Sequence, residues 1–262
     1  MMRRNIKLRR KIELNIKAGI LLVLVSISLS KHLDKNPSLP EQNEGVISDI
    51  SKDSVLLTNH QINFQGLSQA EIPTGCESVS TVAILNHLGI EITPEHFIEN
   101  YLPKQKFYRS NGNLYGPNPN EYFAGDPFQR SSLGCFPNVI IKALNIMQDS
   151  DYAGTQTMQY FNLTGTPLST LAESYISNDI PVLIWITIDM KESKEGMRYL
   201  LEDGTPYTWR SNEHCVVLCG YDEEKYYIMD PLANGEIVAY PKELVEMRYK
   251  EMNQSAIAIT LL

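Results

Sequence analysis

The last third of the chain carries five short runs rich in β-branched and aromatic residues, at 181–188, 214–220, 225–229, 236–240 and 255–261, separated by short turns. Runs this short, bounded by Gly, Asp and Pro, read as strands, and their close spacing suits antiparallel pairing. Ahead of them the apolar spacing is helical. The stretch 76–88 has apolar residues at 79, 82, 83 and 85 and ends at Gly89, a C-terminal cap. Thr93-Pro94 opens a second helix with Phe97, Ile98 and Tyr101 on one face, and Pro137 a third with Val139, Ile140, Ala143, Leu144 and Met147. Thr166-Pro167 opens a fourth with Leu168, Leu171, Ala172 and Tyr175, and 241–249 fits a helix between the last two strands. Helices first and an antiparallel sheet second is an α+β order. Residues 104–134, rich in Gly, Asn, Pro and aromatics, read as a long irregular binding loop.

Charge divides the chain unevenly. Residues 1–31 hold eight Lys/Arg and one acid, and the remainder holds 15 basic against 30 acidic residues, which argues against nucleic acid as a partner. Seven of those basic residues precede an apolar run at 18–30, the layout of an export signal. The expected organisation is a signal peptide or signal anchor at 1–30, a flexible stalk at 31–58 and one domain at 59–262. On this reading the N-terminal segment engages the membrane, and the body lies outside the cytoplasm, secreted or anchored. The run of 13 residues is shorter than the roughly 17–25 a spanning helix needs, which favours cleavage, whereas Ser28-Leu29-Ser30 is a poor version of the usual Ala-x-Ala cleavage site, so cleaved secretion and a retained anchor both stay open.

Cys76 is expected at a helix start, where free amides and the helix dipole lower a thiol pKa, and the turn Pro73-Thr74-Gly75 would aim its sulfur into a cleft. The alternative for this residue alone is a buried cysteine packed as a small hydrophobe. His87, eleven residues along the same helix, lies about 16 Å from Cys76 and cannot serve it. His32 falls in the stalk, and His60 and His96 read as surface residues. His214 stands at the mouth of an apolar strand, and a hairpin returning to Asp230-Pro231 can set a carboxylate beside its ring. A carboxylate there fixes the imidazole tautomer and stabilises its cation.

Gln69, Pro73-Thr74-Gly75-Cys76-Glu77, Leu85-Asn86-His87-Leu88-Gly89, Tyr115-Gly116-Pro117-Asn118-Pro119, His214 through Asp222 and Asp230-Pro231 resemble the double-glycine (bacteriocin-processing) peptidase-like family of papain-like cysteine peptidases. The resemblance spans about residues 60–262. It implies a papain-like fold, with the cysteine helix packed on the sheet that carries His and Asp. It also implies Cys76 as nucleophile, His214 as acid/base, Asp230 as orienter and Gln69 as oxyanion donor, with Gln65 a rival four residues earlier. Family members attached to peptide exporters carry membrane helices and an ATP-binding cassette; neither appears in this sequence, so cleavage of double-glycine leaders is not part of the expectation.

The expected activity is hydrolysis of an amide bond in a peptide or related substrate at the cell surface, with no cofactor. An inactive binding module and an acyl transferase on the same triad are the alternatives. Cys215 and Cys219 stand about 13 Å apart on a strand, too far for a mutual disulfide, and with His214 they lack a usual zinc spacing. Cys135 is left to pair with one of them or stay reduced.

Overall fold

Proline positions mark where two of the helices begin. The computed structural model describes residues 59–150, 152 and 157–262, all within a unit running from Val55 to Leu262. A short strand β1 (His60–Gln61) precedes helices α1 (Cys76–His87) and α2 (Pro94–Asn100). Pro94 sits in the first turn of α2, and the Thr93 hydroxyl accepts from the His96 amide at 3.2 Å, satisfying a donor the helix itself cannot. At the far end of α1, Gly89 takes φ +83°, a left-handed conformation that costs glycine little.

Four short strands follow, β2 (Lys104–Gln105), β3 (Tyr108–Ser110), β4 (Asn113–Tyr115) and β5 (Phe123–Ala124), then α3 (Pro137–Asp149), β6 (Met158–Asn162) and α4 (Leu168–Ser174). The chain continues through β7 (Val182–Thr187), β8 (Glu195–Leu200), β9 (Pro206–Arg210), β10 (Glu213–Tyr221), β11 (Lys225–Asp230) and β12 (Glu236–Pro241). Helix α5 (Lys242–Glu251) and β13 (Ala256–Leu261) complete it.

The main sheet has the order β12-β11-β10-β7-β13-β6, antiparallel throughout, with β1 added beside the end of β10. All nine residues of β10 are buried, so the strand is covered on both faces and its sequence runs apolar without alternating. Trp185 on β7, the register partner of Cys215, buries its ring and donates from Nε1 to the Cys135 carbonyl at 2.8 Å. That bond ties the segment before α3 to the sheet.

Helix α1 departs from a one-faced helix. Residues 76 to 85 are all buried, including Glu77, Ser78, Ser80 and Thr81. Buried polar groups need partners: the Thr81 hydroxyl donates to the Glu77 carbonyl at 2.6 Å, and the Ser80 hydroxyl to the Cys215 carbonyl at 3.1 Å. The second of these bonds pins α1 to the middle of β10.

The α+β order holds, and each of the five expected strands and five expected helices forms. Two expectations are corrected. Residues 104–134 contain β2 to β5, and β3 and β4 join β8 and β9 in a separate four-stranded sheet. The mixed charge and exposure of Glu195, Arg198 and Thr208 hid β8 and β9 from a periodicity argument. The placement outside the cytoplasm, secreted or anchored, is also withdrawn. No helix among the described residues is long and apolar enough to cross a membrane; the longest, α3, has 13 residues and spans only about 20 Å. The apolar run at 18–30 and the stalk at 31–58 lie outside the described residues.

Candidate active site

Cys76 is the first residue of α1, and the close approach of Ile72 shapes the turn into it. A Cβ on Gly75 would lie 2.3 Å from Ile72 Cγ2, so a side chain there would force Ile72 to shift. The turn leaves Cys76 6% exposed while Cys135, Cys215 and Cys219 are sealed. The sulfur donates to Glu77 Oε2 at 3.3 Å. Burial pushes the thiol pKa well above its ordinary value, the charges of Glu77 and Glu213 and the Cys215 thiol add to this, and a backbone hydrogen bond from Cys215 opposes it. The expected lowering is thus not the resting condition. The helix start favours the thiolate, but desolvation next to two acids outweighs it.

His214, 1% exposed, contacts Asp230 through Nε2 and Oδ1 at 2.7 Å. The same Asp230 oxygen accepts the Leu232 amide at 2.8 Å, which caps the short turn Pro231–Ala233. Burial would raise the Asp230 pKa, but the hydrogen bond and charge of His214 and the amides of Leu232 and Ala233 outweigh it and hold the carboxyl below its ordinary value. Because Asp230 takes Nε2, Nδ1 is the ring nitrogen left to meet a thiol.

Gln69 is buried and Gln65 exposed. The Gln69 amide nitrogen donates to the Pro73 carbonyl only at 3.5 Å, and Oε1 has no partner, so this side chain is loosely committed. Its backbone amide donates to the Pro231 carbonyl at 3.0 Å, which places the Gln69 segment against the Asp230 turn.

His214 and Asp230 are joined directly, and Gln69 is tied to the residue after Asp230. Cys76 is packed against Cys215, the neighbour of His214 on β10, while its hydrogen-bond partner is Glu77 rather than the imidazole. Strand alternation accounts for this division: Glu213 and Cys215 face the α1 cluster, and His214 faces Asp230.

Sequence reasoning missed two residues, Glu77 and Glu213. Both are buried. Glu77 Oε1 accepts the Cys135 amide at 2.5 Å. Burial raises the Glu77 pKa to about 7 against the opposing pull of its own amide, the Cys135 amide and the neighbouring thiols; burial and then the charge of Glu77 raise that of Glu213. No sequence signal marked them, since an acid at a helix start or a strand end ordinarily faces water. All four cysteines are free thiols, so Cys135 makes no disulfide. The other described histidines lie elsewhere: His60 pairs with Asp179 at 2.9 Å, His96 packs against Tyr101 and Tyr152, and His87 lines a cavity of about 950 Å³ at the opposite end of α1.

Comparison with known proteins places these features among relatives. The family model described as "Peptidase_C39 like family" matches residues 61–257. A crystal structure of a presumed C39-like peptidase from Bacillus anthracis is 27% identical with a TM-score of 0.63, covering 77% of this chain and 97% of that one. The uncharacterized protein YvpB of Bacillus subtilis (strain 168) is 24% identical over 224 residues, 82% of this chain and 84% of its own length. The peptidase domain of Streptococcus ComA, a bifunctional ABC transporter, is 13% identical with a TM-score of 0.43, covering 76% and 98%. The cysteine-bearing helix packed on an antiparallel sheet with His and Asp is the C39, papain-like fold.

Proposed function

The chain belongs to the Peptidase_C39 like family, and from that premise we propose that it is a cysteine peptidase with Cys76 as nucleophile, His214 as acid/base and Asp230 as the residue that orients the ring. The observation that carries this reading is the buried His214–Asp230 pair at 2.7 Å, set on the strand against which Cys76 packs at the start of its helix.

The steps follow from the atoms. The Cys76 proton passes to His214 Nδ1, and the sulfur adds to the carbonyl carbon of the scissile amide. Asp230 holds Nε2 and stabilises the imidazolium. The Cys76 backbone amide, without an intrahelical acceptor, and the Gln69 side-chain amide would donate to the carbonyl oxygen as it becomes negative. The C–N bond breaks as Nδ1 returns the proton to the leaving amine, leaving a thioester. Water, deprotonated by His214, then releases the acid and the thiol. Catalysis requires the thiol to leave the Glu77 carboxylate for the ring.

The test is turnover of a peptide library by the purified chain in chelator and reductant, with Cys76→Ala as control. Cleavage abolished by Cys76→Ala supports the reading, and no cleavage of any peptide by the wild type overturns it. The resting hydrogen bond to Glu77 favours a second reading, a binding module on this fold whose thiol is never released. That reading requires the wild type and Cys76→Ala to bind peptide equally with no turnover.

A further inference from the structure

We propose that Cys76, Glu77 and Glu213 form a site for one thiophilic divalent cation of the zinc class, which when bound withholds the Cys76 sulfur from chemistry. The site lies where α1 packs against β10. It rests on side-chain placement rather than on the peptidase reading, though the two share one sulfur.

One ligand atom from each of the three residues lies within 4.8 Å of the other two, and all three residues are buried. The 3.3 Å from Cys76 Sγ to Glu77 Oε2 is close to the edge of about 3.5 Å that a tetrahedral zinc sets between a thiolate and a carboxylate oxygen. Thiolate with carboxylates is a donor set that suits zinc better than magnesium or calcium, which take oxygen alone.

Three further observations point to a ligand here. Glu213 Oε1 is buried without a partner, and so is Oγ1 of Thr187, the cross-strand register partner of Glu213. Such orphaned oxygens ask for an explanation, and a cation is one. Gly134 supplies the second observation: a Cβ there would lie 2.5 Å from Glu77 Oε1 and 2.8 Å from Glu213 Oε2, so both carboxylates converge where this glycine has no side chain. The third is charge. No Lys, Arg or His forms a salt bridge with either carboxylate among the described residues, and burying two acids beside a thiol otherwise requires protons. A divalent cation replaces those protons: the thiol and carboxyl protons leave to solvent as the metal binds. Water would fill the fourth position.

The experiment titrates the reduced, chelator-stripped full chain with Zn²⁺ against a chromophoric chelator, and with Co²⁺ for its thiolate charge-transfer absorption. The expected result is about one equivalent bound, a charge-transfer band, and Cys76 protected from alkylation until chelator is added. Glu213→Gln and Glu77→Gln should each weaken binding by at least about tenfold, and Cys76→Ser should lose the band; circular dichroism checks that each variant is folded. If Glu213→Gln does not fold, Cys76→Ser with the cobalt band still decides. Negligible binding by the wild type, or a band that survives in Cys76→Ser, overturns the proposal. A chain that binds the metal but cleaves nothing in chelator fails only the peptidase reading; one that cleaves peptides and binds no metal fails only this one.

Discussion

The Gln69 amide donates to the Pro231 carbonyl at 3.0 Å, so the segment leading to Cys76 and the turn that orients His214 are held together. Gly66 strengthens that seam, since a Cβ there would lie 2.0 Å from the Gly235 carbonyl oxygen. Gln69→Ala keeps the backbone bond and removes only the side-chain donor. It should lower kcat about 10²-fold with little change in KM, the usual scale for one oxyanion donor. Gln65→Ala, at an exposed position, should leave kcat close to wild type. Steady-state kinetics on one good peptide separates the two, and equal effects would remove Gln69 from the oxyanion role.

The proposed triad should fail as a unit. Cys76→Ala and His214→Ala should each lower kcat by at least about 10⁴-fold, and the double variant by little more, since nucleophile and base are useless apart. Asp230→Asn should retain more activity than either, because losing the orienting acid of such a triad costs less than losing its nucleophile or base. Additive losses in the double variant would count against a shared step.

The residues proposed for catalysis each carry a local signal in the sequence. Cys76 after Gly75, His214 at a strand mouth and Asp230 before Pro231 each carry a positional signal, and their order along the chain suggested the fold. Glu77 and Glu213 were not legible, because an acid at a helix start or strand end ordinarily faces water. Their burial depends on β10 being covered on both faces and on α1 being enclosed, which is decided by the packing of α3 and the 133–136 segment. Strands β8 and β9 were missed for a related reason: half-exposed residues of mixed charge show no clean alternation.

Alkylation reads the thiol environment directly. Cys76 should react before Cys135, Cys215 or Cys219, since those three are fully buried. Its rate should keep climbing with pH through and above neutrality, because burial and the two neighbouring acids raise its pKa. Mass mapping after brief iodoacetamide treatment in chelator, over a pH series, checks both points. A rate that levels off below neutrality would mean that the thiol rests on His214 and not on Glu77.

Glu77 should leave a mark on stability. Its pKa is raised by burial from 4.5 to about 7 in the folded chain, so the folded state binds a proton that the unfolded chain has released across that interval. The contribution is fully present below about pH 4.5 and is lost as pH rises through about 7, a change on the order of 3 kcal/mol. Asp230 has the opposite sign: its lowered pKa adds stability above the ordinary carboxylate range, which is lost only as pH falls through its folded value, outside the Glu77 interval. Glu213, whose pKa burial and the charge of Glu77 likewise raise, adds a loss of the same sign, so urea unfolding in chelator and reductant should show stability falling as pH rises from about 4.5, and Glu77→Gln should reduce that slope. The glutamine amide replaces the protonated acid in shape while carrying no titrating proton. A variant whose slope over this interval matches the wild type would show that Glu77 is ionised at low pH in the folded chain, and that its carboxylate is stabilised by something other than the thiols and amide around it.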